Sequence, residues 1–252
     1  MTGPALELQQ VGKAYGGLRV CDDIDLRVRA GELHALIGPN GAGKTTLLDL
    51  ISGLLPVDRG RILLFGRDIT RTPLHKRACL GMARSFQITS LFPCFTVRQT
   101  LELAVQAGEN TGLFFFLQRA DRDARLRKPA IRIMEQVGLA DRADIRAENL
   151  AHGEQRLLEM GMALASGASV LLLDEPMAGM GPGSARELSR LIKALKGEKT
   201  ILLVEHDMEA VFALADRISV LVQGRIIATG RPEEIRANDE VQAAYLGSKC
   251  WI

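Results

Sequence analysis

The sequence predicts an α/β fold: a mixed, mainly parallel core sheet with an antiparallel side sheet and an inserted α-helical subdomain. Three observations predict it. His34–Ile37, Val170–Leu173 and Thr200–Val204 are apolar throughout and each stands near a plausible helix, as strands buried on both faces of a parallel sheet do. Leu6–Gln9, Ile24–Val28 and Arg61–Phe65 instead alternate apolar and polar residues, the mark of half-buried antiparallel strands. From about residue 96 to 165 the apolar spacing becomes three to four and no strand-like run occurs.

Taken in order, the two alternating runs near the N-terminus build the side sheet. His34–Ile37 then leads through a Gly-rich stretch into a helix over Lys44–Leu54, and Arg61–Phe65 returns to the side sheet. Helical spacing follows in Val97–Ala104, Ile131–Val137 and Leu157–Leu164. Residues 106–130, rich in Gly, Phe and Arg without a clean period, read as a loop or a short helix pair. Ile218–Val222 and Arg225–Ala228 around Gln223-Gly224 read as a hairpin. The expected organisation is one domain over 1–252, with core and side sheet from 1–87 and 167–252 and the helical subdomain from 88–166.

Composition narrows the class of protein. In 252 residues, 32 Lys+Arg balance 30 Asp+Glu for a net charge of +2, so nonspecific binding to nucleic acid or an anionic membrane is not indicated. An apolar content of 47% suffices for a full core without disulfides. Cys21, Cys79, Cys94 and Cys250 form no CxxC and have no His at ligand spacing, which disfavours a zinc site and fits a reducing compartment. The first twenty residues lack a basic then apolar leader, SKCWI is not a prenylation box, and no run nears the roughly 18 apolar residues of a membrane span. The expectation is a cytosolic chain that reaches a membrane only through a partner.

The strongest local signal is the run Gly38, Pro39, Asn40, Gly41, Ala42, Gly43, Lys44, Thr45, Thr46, which satisfies GxxxxGK[ST] between an apolar strand and a helix. Its glycines let backbone N–H groups turn inward at a helix N-terminus, an anion nest suited to phosphate. Lys44 supplies a mobile charge for the β- and γ-phosphates, and the Thr45 hydroxyl can ligate Mg²⁺. The Val170 strand ends in Asp174-Glu175-Pro176, placing Asp174 to hold the metal and Glu175 as candidate general base. The Thr200 strand ends in Glu205-His206-Asp207, and His206 at that carboxyl edge can reach a γ-phosphate. Each carboxylate or His alone is an ordinary surface residue; their order along the chain is what argues for a nucleotide site.

In this order the residues resemble the ATP-binding subunits of ATP-binding-cassette (ABC) transporters over essentially the whole chain. The resemblance implies a P-loop NTPase fold with a RecA-like core, ATP and Mg²⁺ as ligands, and ATP hydrolysis. It implies that Tyr15 in KAYGG stacks on adenine, and that Gln87 in RSFQ senses Mg²⁺ and the attacking water. It also implies that Leu150-Ala151-His152-Gly153-Glu154-Gln155 is the signature facing ATP held by an opposite subunit. The usual signature Ser is Ala151 here, the next Gly is His152, and an Asp expected in the turn after Pro176 is Gly181. The chain's own half-site is then complete while the half offered to its partner is weaker, which suits a heterodimer, a homodimer being the alternative.

Within the family, ARSFQI with LFP, Gly112-Leu-Phe, the LAHG signature, EHDM and the ending EVQAAYLG most resemble importers of branched-chain amino acids. Urea-type and aromatic-acid-type importers share much of this pattern. The implied partners are a second ABC ATPase subunit, integral membrane permeases and, indirectly, a periplasmic solute-binding protein, with no nucleic acid. The implied location is cytoplasmic, on the inner face of the membrane. Ile88–Val97 is either helical-subdomain core or part of the groove that receives a permease helix, and the same pair of readings applies to residues 113–117. Arg119–Lys128 reads as a solvated charged face. A small-molecule kinase could share the phosphate loop but has no use for Gln87, the signature and His206 in this order. Nontransport ABC ATPases usually carry coiled coils or two cassettes, for which 252 residues leave no room.

Overall fold

The structure, a computed structural model, describes residues 3–85, 91–109 and 124–246. The chain divides into two compact units. The first comprises Met1–Arg77, Leu172–Glu175 and Lys196–Ile252, and the second Ala78–Leu171 and Pro176–Leu195.

The first unit contains the antiparallel sheet and most of the core sheet. Its antiparallel sheet has the order β2-β1-β4-β5, formed by β1 (Pro4–Tyr15), β2 (Leu18–Arg29), β4 (Arg59–Leu64) and β5 (Arg67–Asp68). The expected alternation is visible in β2, where Cys21, Ile24, Leu26 and Val28 are buried while the residues between Ile24 and Arg29 that face the other way are exposed. The core sheet has the order β10-β9-β3-β8-β7, from β3 (Leu33–Ile37), β7 (Val170–Asp174), β8 (Thr200–Val204), β9 (Arg217–Val222) and β10 (Arg225–Gly230). β3 pairs in parallel with β8 and β9, and β9 with β10 forms the expected antiparallel hairpin. Every residue of β3 and β8 is buried, which is why they are apolar without alternation except at His34 and Thr200. Leu33, Leu36 and Ile37, at 1% exposure or less, each contribute roughly 1.5–3 kcal/mol of burial and hold in place the strand that delivers the Gly-rich loop.

Helix α1 (Lys44–Ser52) stops two residues short of the expected Leu54 because Gly53 takes φ 82 and its N–H closes the helix on the Asp49 and Leu50 carbonyls. Helix α2 (Leu74–Cys79) carries Arg77, whose guanidinium donates to the carbonyls of Leu50 and Ile51 at 2.8 and 2.6 Å and to those of Thr72 and Thr70 at 2.7 and 3.0 Å. This buried cation ties off the C-terminus of α1.

In the second unit, β6 (Met82–Arg84) is a short strand next to β7 in strand order, and the Gly81 carbonyl accepts from the N–H groups of Ser169 and Val170. Helices α3 (Val97–Gly108), α4 (Ala124–Gln136) and α5 (His152–Ala165) pack on one another, and α5 also meets α6 (Pro182–Ala194). Thr96 starts α3 with a reciprocal cap: its hydroxyl accepts from Gln99 N–H while Gln99 accepts from Thr96 N–H. Helix α4 begins at Ala124, so part of the segment expected as loop or short helices is one helix with Pro129 inside it. Its first turns are Arg- and Lys-rich and carry no long apolar stripe, so the periodicity marks only their continuation from Ile131. Residues 110–123, including the run at 113–117, lie outside the described residues. The first unit ends in α7 (Met208–Leu214), α8 (Pro232–Arg236) and α9 (Asp239–Leu246). Among the described residues no helix is long and apolar enough to cross a membrane.

Candidate functional site

The site in the first unit starts where β3 runs out. Gly38 passes so close to β9 that a Cβ there would lie 2.0 Å from the Leu221 carbonyl oxygen, so only glycine fits. Gly43 adopts φ 105 and is the N-cap of α1 without any side-chain cap, leaving the first N–H groups of that helix for a ligand. The loop is pinned from behind: Gly224 N–H donates to the Ala42 carbonyl at 3.1 Å, and Asp22 N–H donates to the Gly224 carbonyl at 2.8 Å. Gly224 is thus more than the hairpin turn its sequence suggests, a role that hydrophobic periodicity cannot signal because it depends on β2 and the hairpin meeting.

Lys44 is 6% exposed. Its ammonium donates to the Gly38 carbonyl at 2.7 Å and to the Pro39 carbonyl at 3.0 Å, folding the side chain over the loop it begins. Burial lowers its pKa, and the negative charges of Glu175 and Asp174 push it back up. Thr45 is exposed and Thr46 half-buried, directly after Lys44. Asn40 and Gly41 are exposed at the tip of the loop, and Pro39 is half-buried.

The carboxylates come from β7. Asp174 closes that strand and is buried. Glu175 follows with φ 49, a backbone region that non-glycine residues adopt rarely, and its N–H donates to the Val204 carbonyl at 2.8 Å. That bond to the end of β8 aims the side chain: Glu175 Oε1 lies 2.7 Å from Nε2 of His206. His206 sits just beyond β8, its own N–H donating to Glu205 Oε2 at 3.1 Å, and Asp207 caps α7 through the N–H groups of Glu209 and Ala210. Four of the residues expected to act together, Lys44, Asp174, Glu175 and His206, are brought together by the carboxyl ends of three neighbouring strands.

An inward-turned N–H loop, a helix N-terminus and a lysine make a receptor for an oxyanion such as a phosphate chain. The residues also fit a divalent cation. The Thr45 hydroxyl and the Asp174 carboxylate are hard oxygen donors, the set Mg²⁺ prefers when it keeps most of its waters.

Other expected residues stand elsewhere. Tyr15 ends β1 half-exposed, with the Lys13 ammonium 5.6 Å from its ring centroid and itself bonded to Asp58 at 2.7 Å. Gln87 lies outside the described residues. The run from Ala151 to Glu154 belongs to the second unit. There Ala151 is the N-cap of α5 and offers no side-chain bond; Glu154 turns back to accept Ala151 N–H at 2.9 Å. That bond, aided by Arg142 at 2.9 Å, holds the Glu154 carboxyl below its usual range. His152 is exposed, and Gly153 lets α5 approach α6 so closely that a Cβ would lie 2.5 Å from Ser184 Oγ. Gly181 is the N-cap of α6. Arg77 carried no sequence signal, because a lone Arg in a polar stretch looks like any solvated residue.

The family described as ABC transporter matches residues 21–178. The one described as branched-chain amino acid ATP-binding cassette transporter matches residues 225–249. The chain is 39% identical over 253 residues to LivG of Salmonella typhimurium, a high-affinity branched-chain amino acid transport ATP-binding protein, covering 98% of this chain and 99% of that protein. BraF of Pseudomonas aeruginosa, described in the same words, is 38% identical over 255 residues with the same coverage. The solved structure of an ABC-transporter ATP-binding cassette in its ADP conformation superposes with a TM-score of 0.86 at 28% identity, covering 98% of this chain and all of that one.

Proposed function

Because the chain belongs to the ABC transporter ATP-binding family, we propose that it is the ATPase subunit that powers an importer of branched-chain amino acids or a related small polar solute. The observation that carries the hydrolytic part is the 2.7 Å contact between Glu175 and His206 beside the Gly38–Thr46 loop. The solute class is supported by the match over residues 225–249 and by what LivG and BraF are described as serving.

In this reading the loop N–H groups and Lys44 grip the β- and γ-phosphates of ATP, and Lys44 exchanges its two loop carbonyls for phosphate oxygens. Thr45 and Asp174 would hold Mg²⁺, with Gln87 as a further candidate ligand; bound there, the ion neutralises charge on the phosphates. Glu175 takes a proton from water as its oxygen attacks the γ-phosphorus and the bond to the β–γ bridging oxygen breaks. His206 holds the Glu175 carboxylate in place from one side and stands at the edge where the γ-phosphate arrives. Tyr15 is the candidate platform for adenine.

Residues 151–154 would face ATP on a second ABC ATPase subunit. With Ala151 for Ser and Gly181 for Asp this chain offers that subunit fewer polar groups, which favours a heterodimer over a homodimer. Permeases would hold the pair at the inner face of the membrane, with a periplasmic solute-binding protein beyond them. The test is Glu175→Gln: turnover should be lost while ATP still binds and traps a dimer. Hydrolysis at the wild-type rate would remove Glu175 from its role. Ligand binding by the cognate solute-binding protein decides the solute, and failure to bind leucine, isoleucine or valine would reject the branched-chain assignment.

A further inference from the structure

At the opposite edge of the core sheet, where the parallel strands begin, the first unit has a cavity of about 520 Å³. That volume is in the range of small-molecule sites, roughly 300–1,000 Å³. Its wall is drawn from four places in the sequence: Arg29 at the end of β2, Gly31 and Glu32 before β3, Asp216 and Arg217 at the start of β9, and Arg231 between β10 and α8. Five residues of β3 at about 3.3 Å each separate it from the Gly38 loop, so a ligand here would not touch nucleotide there.

Both acids in the wall are already committed. Glu32 accepts Arg29 N–H at 3.2 Å with one oxygen and lies 2.8 Å from His34 Nδ1 with the other. Asp216 accepts Leu33 N–H at 2.9 Å and pairs with Lys196 at 2.7 Å. The arginines are not so engaged. Arg217 Nε reaches Glu32 only at 4.0 Å, and among the described residues the guanidiniums of Arg29 and Arg231 make no ion pair. Three arginines therefore line a cavity whose carboxylates are turned to the backbone, to Lys196 and to His34.

Beside this wall His34, fully buried, bridges Glu32 to Ser219 at 2.8 Å, and Ser219 continues to Thr229 at 2.7 Å, tying β3, β9 and β10 together. Gly31, in the wall at φ 76, packs so closely on Gly197 that a Cβ would strike the Gly197 carbonyl at 2.8 Å. Three arginines along one wall suit a ligand with more than one oxyanion group, which guanidinium binds in bidentate fashion.

We propose that this cavity binds a small soluble polyanion, one bearing two or more phosphate or carboxylate groups, independently of the nucleotide site. The test is isothermal titration of the full chain with inorganic pyrophosphate and, separately, with citrate, in wild type, in Lys44→Ala and in the double variant Arg217→Ala with Arg231→Ala. Saturable binding of one of the two probes should survive Lys44→Ala, and its affinity should fall tenfold or more in the double variant. Arg231→Lys, which keeps charge and loses the fork, should weaken it severalfold. Nucleotide affinity of the arginine variants, unchanged from wild type, reports that they are folded. If neither probe binds Lys44→Ala, or if binding ignores the arginines, the proposal is overturned.

Discussion

Replacing Arg77 by Met should cost the protein several kcal/mol of stability, about 4 by the bonds it loses. Arg77 is 2% exposed and its guanidinium donates to four backbone carbonyls. The Leu50 carbonyl keeps a second donor in Gly53 N–H at 3.2 Å, so three acceptors lose the only bond described for them. At about 1 kcal/mol for each stranded acceptor and about 0.5–1 kcal/mol for the cation at the end of α1, the loss is about 4 kcal/mol. Methionine preserves most of the side-chain volume, so packing adds little. Thermal unfolding should then shift down by about 10 °C, at roughly 2–4 °C per kcal/mol for a chain of this size. Arg77→Lys, able to reach one or two of the carbonyls, should fall about halfway. The measurement is chemical and thermal denaturation of purified wild type and both variants. A loss below about 0.5 kcal/mol in Arg77→Met would mean that water replaces the guanidinium freely and that the α1 terminus does not depend on it.

Other perturbations probe the site and its frame. His206→Ala should leave ATP binding intact and lower turnover by at least tenfold, read by steady-state hydrolysis; equal loss of binding would point to collapse rather than catalysis. Gly38→Ala should abolish nucleotide binding, because its Cβ cannot coexist with the Leu221 carbonyl, and retention of wild-type affinity would contradict the close approach. Asp22 accepts hydrogen bonds from Arg225, Arg59 and Arg19; the Arg225 bond is the main cause holding its carboxyl below the ordinary 3.8, with the charges of all three adding to it. A depressed folded-state pKa means the contribution is complete above 3.8 and is lost as pH falls through the folded value. The melting-temperature gap between wild type and Asp22→Asn should therefore be constant from about pH 5 to 7 and close only in stronger acid; a gap that closed near neutrality would refute this. Gly153→Ala should destabilise the α5–α6 packing through Ser184, and Ser184→Gly in the same chain should recover part of the loss.

Much of this was legible in the residues themselves. The helix expected after the Gly-rich loop, the apolar runs of β3, β7 and β8, and the β9–β10 hairpin around its Gly turn were readable locally, because burial on both faces makes a strand apolar and a tight turn calls for glycine. The short strands β5 and β6 left no such trace, since two or three residues cannot show a period. Ala124–Pro129 was hidden by charge, for its one buried large side chain, Leu126, stands among arginines and Lys128 and makes no apolar stripe by itself. Lys44, Asp174, Glu175 and His206 were nameable from their order and from strand ends, because parallel strands bring their carboxyl ends to one edge whatever the loops between them.

What the tertiary structure decided is how those groups meet and what steadies them. The Glu175–His206 contact depends on the strained Glu175 backbone and its bond to Val204, neither of which is written in residue type. Arg77 under α1, Gly224 behind the loop and the arginines around the β3 entrance each act across dozens or hundreds of intervening residues. Local sequence determines which face of an element is buried and which residue types can do chemistry. Only the packed chain, by choosing partners distant in sequence, determines which lone charges become a helix clamp and which become a waiting site for an anion.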